Sequence, residues 1–177
     1  MQVAAVFGSA RVVAGDDEYA IARRTGELLG AAGWAVMTGG YHGAMEAASR
    51  GASEAGGHVI GVTVADWTDR HAPNRWVAEE RRASNLLARL EELLGADALI
   101  AVGGGIGTLT EVALAWNLKQ RDHVRAPLIL VGARWERVVP VLTRELVIDD
   151  DDLRHLHLVG DPEAAMRIVS ASRVAST

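Results

Sequence analysis

Short apolar runs alternate with longer amphipathic stretches along the chain, the arrangement expected of strand–helix units wound around a parallel sheet. Strands are predicted at residues 2–7, 34–38, 58–64, 97–102 and 127–131, with a weaker one at 156–159. Helices are predicted at 17–32, 43–55, 77–94, 107–119, 134–146 and 162–171, with Gly33 and Gly95 placed to end two of them. Within the 77–94 segment Ala83, Leu86, Leu87, Leu90 and Leu94 recur at three- and four-residue spacing, forming one stripe to pack on the sheet. The fold class that follows is α/β, a Rossmann-like doubly wound parallel sheet in a single domain over residues 1–177. Two segments stand outside this pattern. The polar stretch from Asp66 to Trp76 is longer than a minimal connection and is a candidate lid, and the acidic run Asp149 to Asp152 reads as a solvated turn.

Composition narrows the chemistry. The chain has 177 residues, 49% apolar and 23% charged, which suits one globular domain. No apolar run approaches the ~20 residues of a membrane span, so no membrane partner is expected. Met1 to Phe7 lacks a basic leading region and runs straight into Gly8 and Ser9, so it reads as a buried strand, and the expected location is the cytoplasm. The absence of cysteine excludes disulfide frameworks, thiolate nucleophiles and cysteine-based zinc sites. A net charge of −5 with scattered basic residues argues against nucleic acid as a partner. Lys119 is the only lysine and has no cofactor motif around it, which removes Schiff-base chemistry.

In parallel α/β sheets, the loops leaving the carboxyl ends of the strands face the ligand crevice. Three such loops are glycine-rich: Gly8-Ser9-Ala10-Arg11, Gly39-Gly40-Tyr41-His42-Gly43-Ala44-Met45, and Gly103-Gly104-Gly105-Ile106-Gly107-Thr108-Leu109-Thr110-Glu111. Glycine lets a backbone approach a ligand without a Cβ, and the free amides at a helix N-terminus bind anions, so a phosphate is the expected guest. Thr108 and Glu111 admit two readings. As Thr-x-x-Glu they form a capping box; alternatively Thr108 meets the phosphate and Glu111 points to the sugar. The third loop lacks the Gly-x-Gly-x-x-Gly order, the second strand ends in Thr38-Gly39-Gly40 without an acidic residue, and no Gly-Lys-Ser/Thr occurs. A dinucleotide site and a P-loop are therefore poor fits, and a monophosphate is a better one.

These loops resemble the LOG family, phosphoribohydrolases that activate cytokinins and have often been mislabelled lysine decarboxylases. The family's Pro-Gly-Gly-x-Gly-Thr-x-x-Glu corresponds to Gly103 through Glu111, with only the proline replaced. Its Gly-Gly-Gly-x-x-Gly-Leu-Met-Gly segment is similar to Gly39 through Glu46, where Tyr41 and Glu46 depart from the pattern. The family also uses an arginine before the fourth predicted strand. Arg81 and Arg82 match the local motif Glu80-Arg81-Arg82, Arg89 matches the spacing to Asp97, and Arg82, Asn85 and Arg89 are spaced to line one helix wall.

The resemblance implies hydrolysis of a nucleoside 5′-monophosphate, AMP-like or similar, to free base and ribose 5-phosphate, without metal or organic cofactor. It assigns Glu111 and Arg82 to catalysis. Gly8, Ser9, Gly39, Gly40, Gly43, Met45, Arg89, Gly104, Gly105, Gly107 and Thr108 would hold the nucleotide. Proteins resembling this family also serve as nucleotide sensors or carriers of pterin-type cofactors, and that non-catalytic alternative stays open. Finally, Val112, Leu114, Ala115, Trp116 and Leu118 give the 107–119 helix more apolar surface than one sheet contact uses, so a homodimer or higher homo-oligomer is expected.

Overall fold

The computed structural model describes residues 1–65 and 72–175. Its strands are β1 (Val3–Phe7), β2 (Ala35–Thr38), β3 (Val59–Val64), β4 (Glu79–Ala83), β5 (Ala98–Ala101), β6 (Leu128–Val131) and β7 (Leu156–Val159). The helices are α1 (Asp17–Ala31), α2 (Ala44–Glu54), α3 (Leu86–Leu94), α4 (Ile106–Lys119), α5 (Ala133–Glu145), α6 (Asp150–Leu153) and α7 (Pro162–Ala175). Among the described residues the strands form one parallel sheet in the order β4-β3-β2-β1-β5-β6-β7. The winding reverses at β1, which lies between β2 and β5, and this switch point opens a crevice at the carboxyl ends of those strands.

Because helices cover both faces, the inner strands are apolar along nearly their whole length. Alternate residues serve two cores. Ala4, Val6, Val36, Val59 and Ile100 pack with Leu29, Ala48, Ala52 and Val169 from α1, α2 and α7. Ala5, Phe7, Met37, Ile60 and Leu99 pack with Leu93, Val112, Trp116, Trp135 and Val139 from α3, α4 and α5. On the first face α1 and α2 approach backbone to backbone: a Cβ at Gly30 would lie 2.7 Å from the Ala52 carbonyl oxygen. No helix among the described residues is long and apolar enough to cross a membrane.

The six predicted strands are all present, and one further strand corrects the predicted 77–94 helix. Residues 79–83 form β4, paired with β3, and α3 begins only after Asn85, whose side chain accepts a hydrogen bond from the Ala88 amide at 3.0 Å. Glu79-Glu80-Arg81-Arg82-Ala83 is helix-favouring in isolation, but as an edge strand it needs only one covered face and tolerates charge on the other. The expected stripe shrinks accordingly. Leu86 and Leu87 are exposed, the latter by 75%, and α3 packs through Leu90, Leu93 and Leu94. The acidic run, expected to be a turn, forms the short α6, capped reciprocally by Asp149 and Asp152. Of the candidate lid, residues 66–71 lie outside the described residues.

Candidate functional site

The three glycine-rich loops meet at the switch point around a cavity of about 770 Å³. Gly8 follows β1 where space is tightest: a Cβ there would sit 2.5 Å from the Ala44 Cβ and 2.6 Å from Val102 Cγ2. The Ser9 carbonyl accepts the Ala44 amide at 2.8 Å, tying the β1 loop to the start of α2. Gly40 (φ +79) and Gly43 (φ +68) take the left-handed backbone that the turn from β2 into α2 requires. A buried polar set secures this turn. The Gly40 amide donates to Thr38 Oγ1 at 3.1 Å, and Asn74 Nδ2 donates to the carbonyls of Gly40 (3.1 Å) and Tyr41 (2.9 Å).

Helix α4 starts differently from the capping-box reading. Its N-cap is Gly105, with no side-chain cap, and the Leu109 amide donates to the Gly105 carbonyl at 2.9 Å. Thr108 is thus the third helical residue and Glu111 lies further in, so neither caps the helix. The amides of Ile106, Gly107 and Thr108 come before the first helical bond and carry the positive end of the helix dipole. No heavy atom lies within 4 Å of where a Cβ would sit on Gly105 or Gly107. Both glycines line the cavity, so their backbones present an open cradle to it.

Below the cradle lie two buried charges. Glu111 is 9% exposed, and burial pushes its carboxyl up to about 7, against the opposing pull of the Arg89 guanidinium. Arg89, 6% exposed, comes from α3 and is itself pushed down by burial while Glu111 and Tyr41 raise it. Its Nε donates to the Val62 carbonyl at 2.8 Å, its Nη2 reaches Met45 Sδ at 3.9 Å, and its guanidinium carbon lies 5.8 Å from the Tyr41 ring centre. Gly39 makes this possible, since a Cβ there would collide with Arg89 Nη2.

Of the three arginines considered from sequence, only Arg89 enters the cavity. Arg81 pairs with Glu79 at 2.6 Å and Glu92 at 2.7 Å. Arg82 is exposed on β4 and borders a different surface depression, with Asp97 and Glu91, so its expected catalytic place is not supported. The expected wall of Arg82, Asn85 and Arg89 fails because the helix starts after Asn85. Gly8, Ser9, Met45, Gly104, Gly105, Gly107, Thr108 and Glu111 all line the cavity with Arg89, whereas Gly39, Gly40 and Gly43 support its wall from behind. Sequence reasoning missed Glu18 and Arg134, which form an ion pair at the cavity. Their signal was the replaced proline: a Cβ at Gly103 would lie 2.8 Å from Arg134 Cδ and 2.9 Å from Glu18 Cγ. A second cavity of about 340 Å³ between α4 and α5 has, among the described residues, Asp152 as its only ionisable lining residue.

Three known proteins share this framework. A pyrimidine/purine nucleotide 5′-monophosphate nucleosidase of Escherichia coli is 34% identical over 133 residues, 67% of this chain and 29% of that protein. A probable cytokinin riboside 5′-monophosphate phosphoribohydrolase of rice, Oryza sativa, is 28% identical over 144 residues, 80% of this chain and 54% of that one. The chain therefore spans about a third to a half of these two relatives. The solved structure of a molybdenum cofactor binding protein from Rippkaea orientalis superposes with a TM-score of 0.78 at 25% identity, covering 96% of both chains. The resemblance to LOG-type proteins holds at the level of family: residues 1–124 match the SLOG cluster4 family, and the chain belongs to it.

Proposed function

We propose that the chain hydrolyses the N-glycosidic bond of a nucleoside 5′-monophosphate, giving free base and ribose 5-phosphate. The observation that carries this reading is the buried Glu111 beside Arg89, in the same cavity as the open amide cradle of α4. The amides of Gly104 to Thr108, with the hydroxyls of Ser9 and Thr108, anchor the 5′-phosphate, and the ribose extends towards Glu111. As the C1′–N bond breaks, its electron pair leaves with the base and positive charge grows on the sugar. The ionised Glu111, itself buried, stabilises that charge. Water then adds to C1′ and loses a proton, the departing base nitrogen gains one through solvent, and the products are ribose 5-phosphate and the neutral base. Arg89, and not Arg82, is the arginine of this pair, keeping Glu111 ionisable despite its burial.

Because half of Glu111 is protonated near pH 7, turnover is expected to climb as pH rises through about 7 and to level off above it. A pH–rate profile of kcat checks this; a rate independent of pH between 6 and 8 contradicts it.

The second reading is a non-catalytic carrier of a pterin-type cofactor. The specific observation in its favour is coverage: the Rippkaea orientalis protein matches this chain over 96% of both lengths, whereas the two enzymes are matched over 29% and 54% of theirs. A panel of AMP, GMP, CMP, UMP and modified adenine nucleotides, with detection of released ribose 5-phosphate, separates the two. Release from any of them supports hydrolysis; tight binding without release supports carriage.

A second copy of the chain is the proposed partner, on altered grounds. Trp116 is buried and donates to the Asp152 carbonyl at 2.8 Å, and Val112 and Ala115 are buried as well, so these residues serve the fold. Exposed apolar side chains lie instead at Leu86 and Leu87 on α3, at Val138 and Val141 on α5 with Leu146 and Val147 just after it, and at Ile106 beside the cavity; of these we take the α5 group as the contact surface. Val141→Glu is expected to convert a dimer to monomer without unfolding it, as read by light scattering. A wild type that is monomeric at micromolar concentration removes the proposal.

A further inference from the structure

We infer that Arg134 is a binding residue for the ligand's phosphate, reaching from α5 to the anion held by the α4 amides, with Glu18 as the carboxylate that otherwise holds its guanidinium. The inference rests on the reading of Gly104 to Thr108 as a phosphate cradle. Two helix starts bring the pair together. Glu18 is the second residue of α1, whose entry is fixed by the Val13 amide donating to Asp16 Oδ2 at 2.9 Å. Arg134 is the second residue of α5, which starts after Gly132 (φ +99), and the Gly132 amide donates to the Val159 carbonyl of β7 at 2.8 Å. Beside both lies Gly103, one residue before the cradle. A Cβ there would come within 2.8 Å of Arg134 Cδ and 2.9 Å of Glu18 Cγ. The pair therefore occupies space left by a glycine where the LOG pattern has proline.

The Glu18 side chain is 14% exposed and that of Arg134 is 62% exposed, and both line the cavity with Gly103 to Thr108. The bond from Arg134 holds the Glu18 carboxyl below its ordinary range, so it is ionised at neutral pH, at the edge of a site proposed for an anion. Left alone, that charge repels a phosphate. The donor to Glu18 is Arg134 Nε. A guanidinium carries its N–H groups in a planar fork, so an arginine held through Nε can turn the outer edge of Nη1 and Nη2 to a second oxyanion. Its stem already passes Gly103, next to the first amide of the cradle. Two simpler roles predict different outcomes. A staple between α1 and α5 acts on stability alone, and a neutraliser of Glu18 becomes dispensable once Glu18 is uncharged.

Calorimetric titration of the full chain with ribose 5-phosphate, beside melting temperatures without ligand, tests the three roles. Arg134→Met keeps the stem and removes the donors, and it is expected to bind on the order of tenfold more weakly. Glu18→Gln removes the like charge and the competing acceptor, and it is expected to bind severalfold more tightly. The double variant decides between contact and neutralisation. If Arg134 touches the phosphate, Arg134→Met costs on the order of tenfold in the Glu18→Gln background as well. A loss that vanishes in that background overturns the inference. So does an Arg134→Met variant that binds like wild type, or a pair of single variants that weaken binding only in step with lower melting temperatures. Should Arg134→Met fail to fold, Arg134→Lys keeps the charge without the fork, serves in the same comparison and is expected to lose severalfold in affinity. Gly105→Val separates this inference from the reading beneath it. A wild type that does not bind ribose 5-phosphate, or a valine variant of unaltered affinity, brings down the cradle and the inference together; a weakened valine variant beside an unaffected Arg134→Met overturns the inference alone.

Discussion

Glu111→Gln is expected to remain folded, bind a nucleoside monophosphate and turn it over on the order of 10²–10³-fold more slowly, the usual cost of removing one preorganised charge from a transition state. The same variant has an expected stability signature that a helix-capping role lacks. A carboxyl held at about 7 when folded and near its ordinary value of 4.5 when unfolded binds its proton more tightly in the folded state. The folded protein therefore loses stability as pH rises from 4.5 to 7, and the full penalty is present above 7. The shift corresponds to roughly 3 kcal/mol, and it already includes the compensating attraction of Arg89. Glutamine, which resembles the protonated acid, escapes the penalty. Denaturant unfolding is thus expected to show the variant about as stable as wild type near pH 4.5 and more stable at pH 8. Equal stability at pH 8, together with full activity, contradicts the catalytic assignment.

Gly105→Val and Gly107→Val are expected to fold and yet lose the phosphate. A Cβ at either position meets nothing of the protein within 4 Å, so the substitution is sterically free in the ligand-free chain. The space it fills is that of the proposed anion. Losing two charge-assisted bonds of about 1.5 kcal/mol each weakens binding on the order of 100-fold. Calorimetric titration with ribose 5-phosphate or AMP, set beside unchanged melting temperatures without ligand, is the measurement; unaltered affinity in both variants removes the phosphate cradle. Gly104 and Gly39 are poor controls, because a Cβ would collide with Thr108 in one case and with Arg89 in the other.

The parallel sheet and the crevice were legible in sequence because buried strands between helices leave continuous apolar runs, and glycine at strand ends has few uses besides turning the chain or meeting a ligand. β4 was not legible, since its five residues hold four charges and carry no apolar alternation. That miss propagated into the site. With 77–94 read as one helix, Arg82 and Arg89 fell on a common face, whereas the strand–helix break at Ser84 and Asn85 sends only Arg89 inwards. The Thr108–Glu111 spacing could not by itself tell a cap from a ligand contact, because the two differ by where the helix begins. Three glycines before Ile106 supply that start without a side-chain cap.

β4 also bears on how copies of this molecule would meet. A sheet invites growth at its two outer strands, and here one rim carries Glu79, Glu80, Arg81 and Arg82 while the other, β7, is four residues long with His157 on it. Adding a foreign strand at either rim means desolvating charge or gaining few hydrogen bonds. Any contact between copies is thereby directed away from the rims, which leaves each sheet a closed unit and guards a chain rich in buried β-structure against fibril-like stacking.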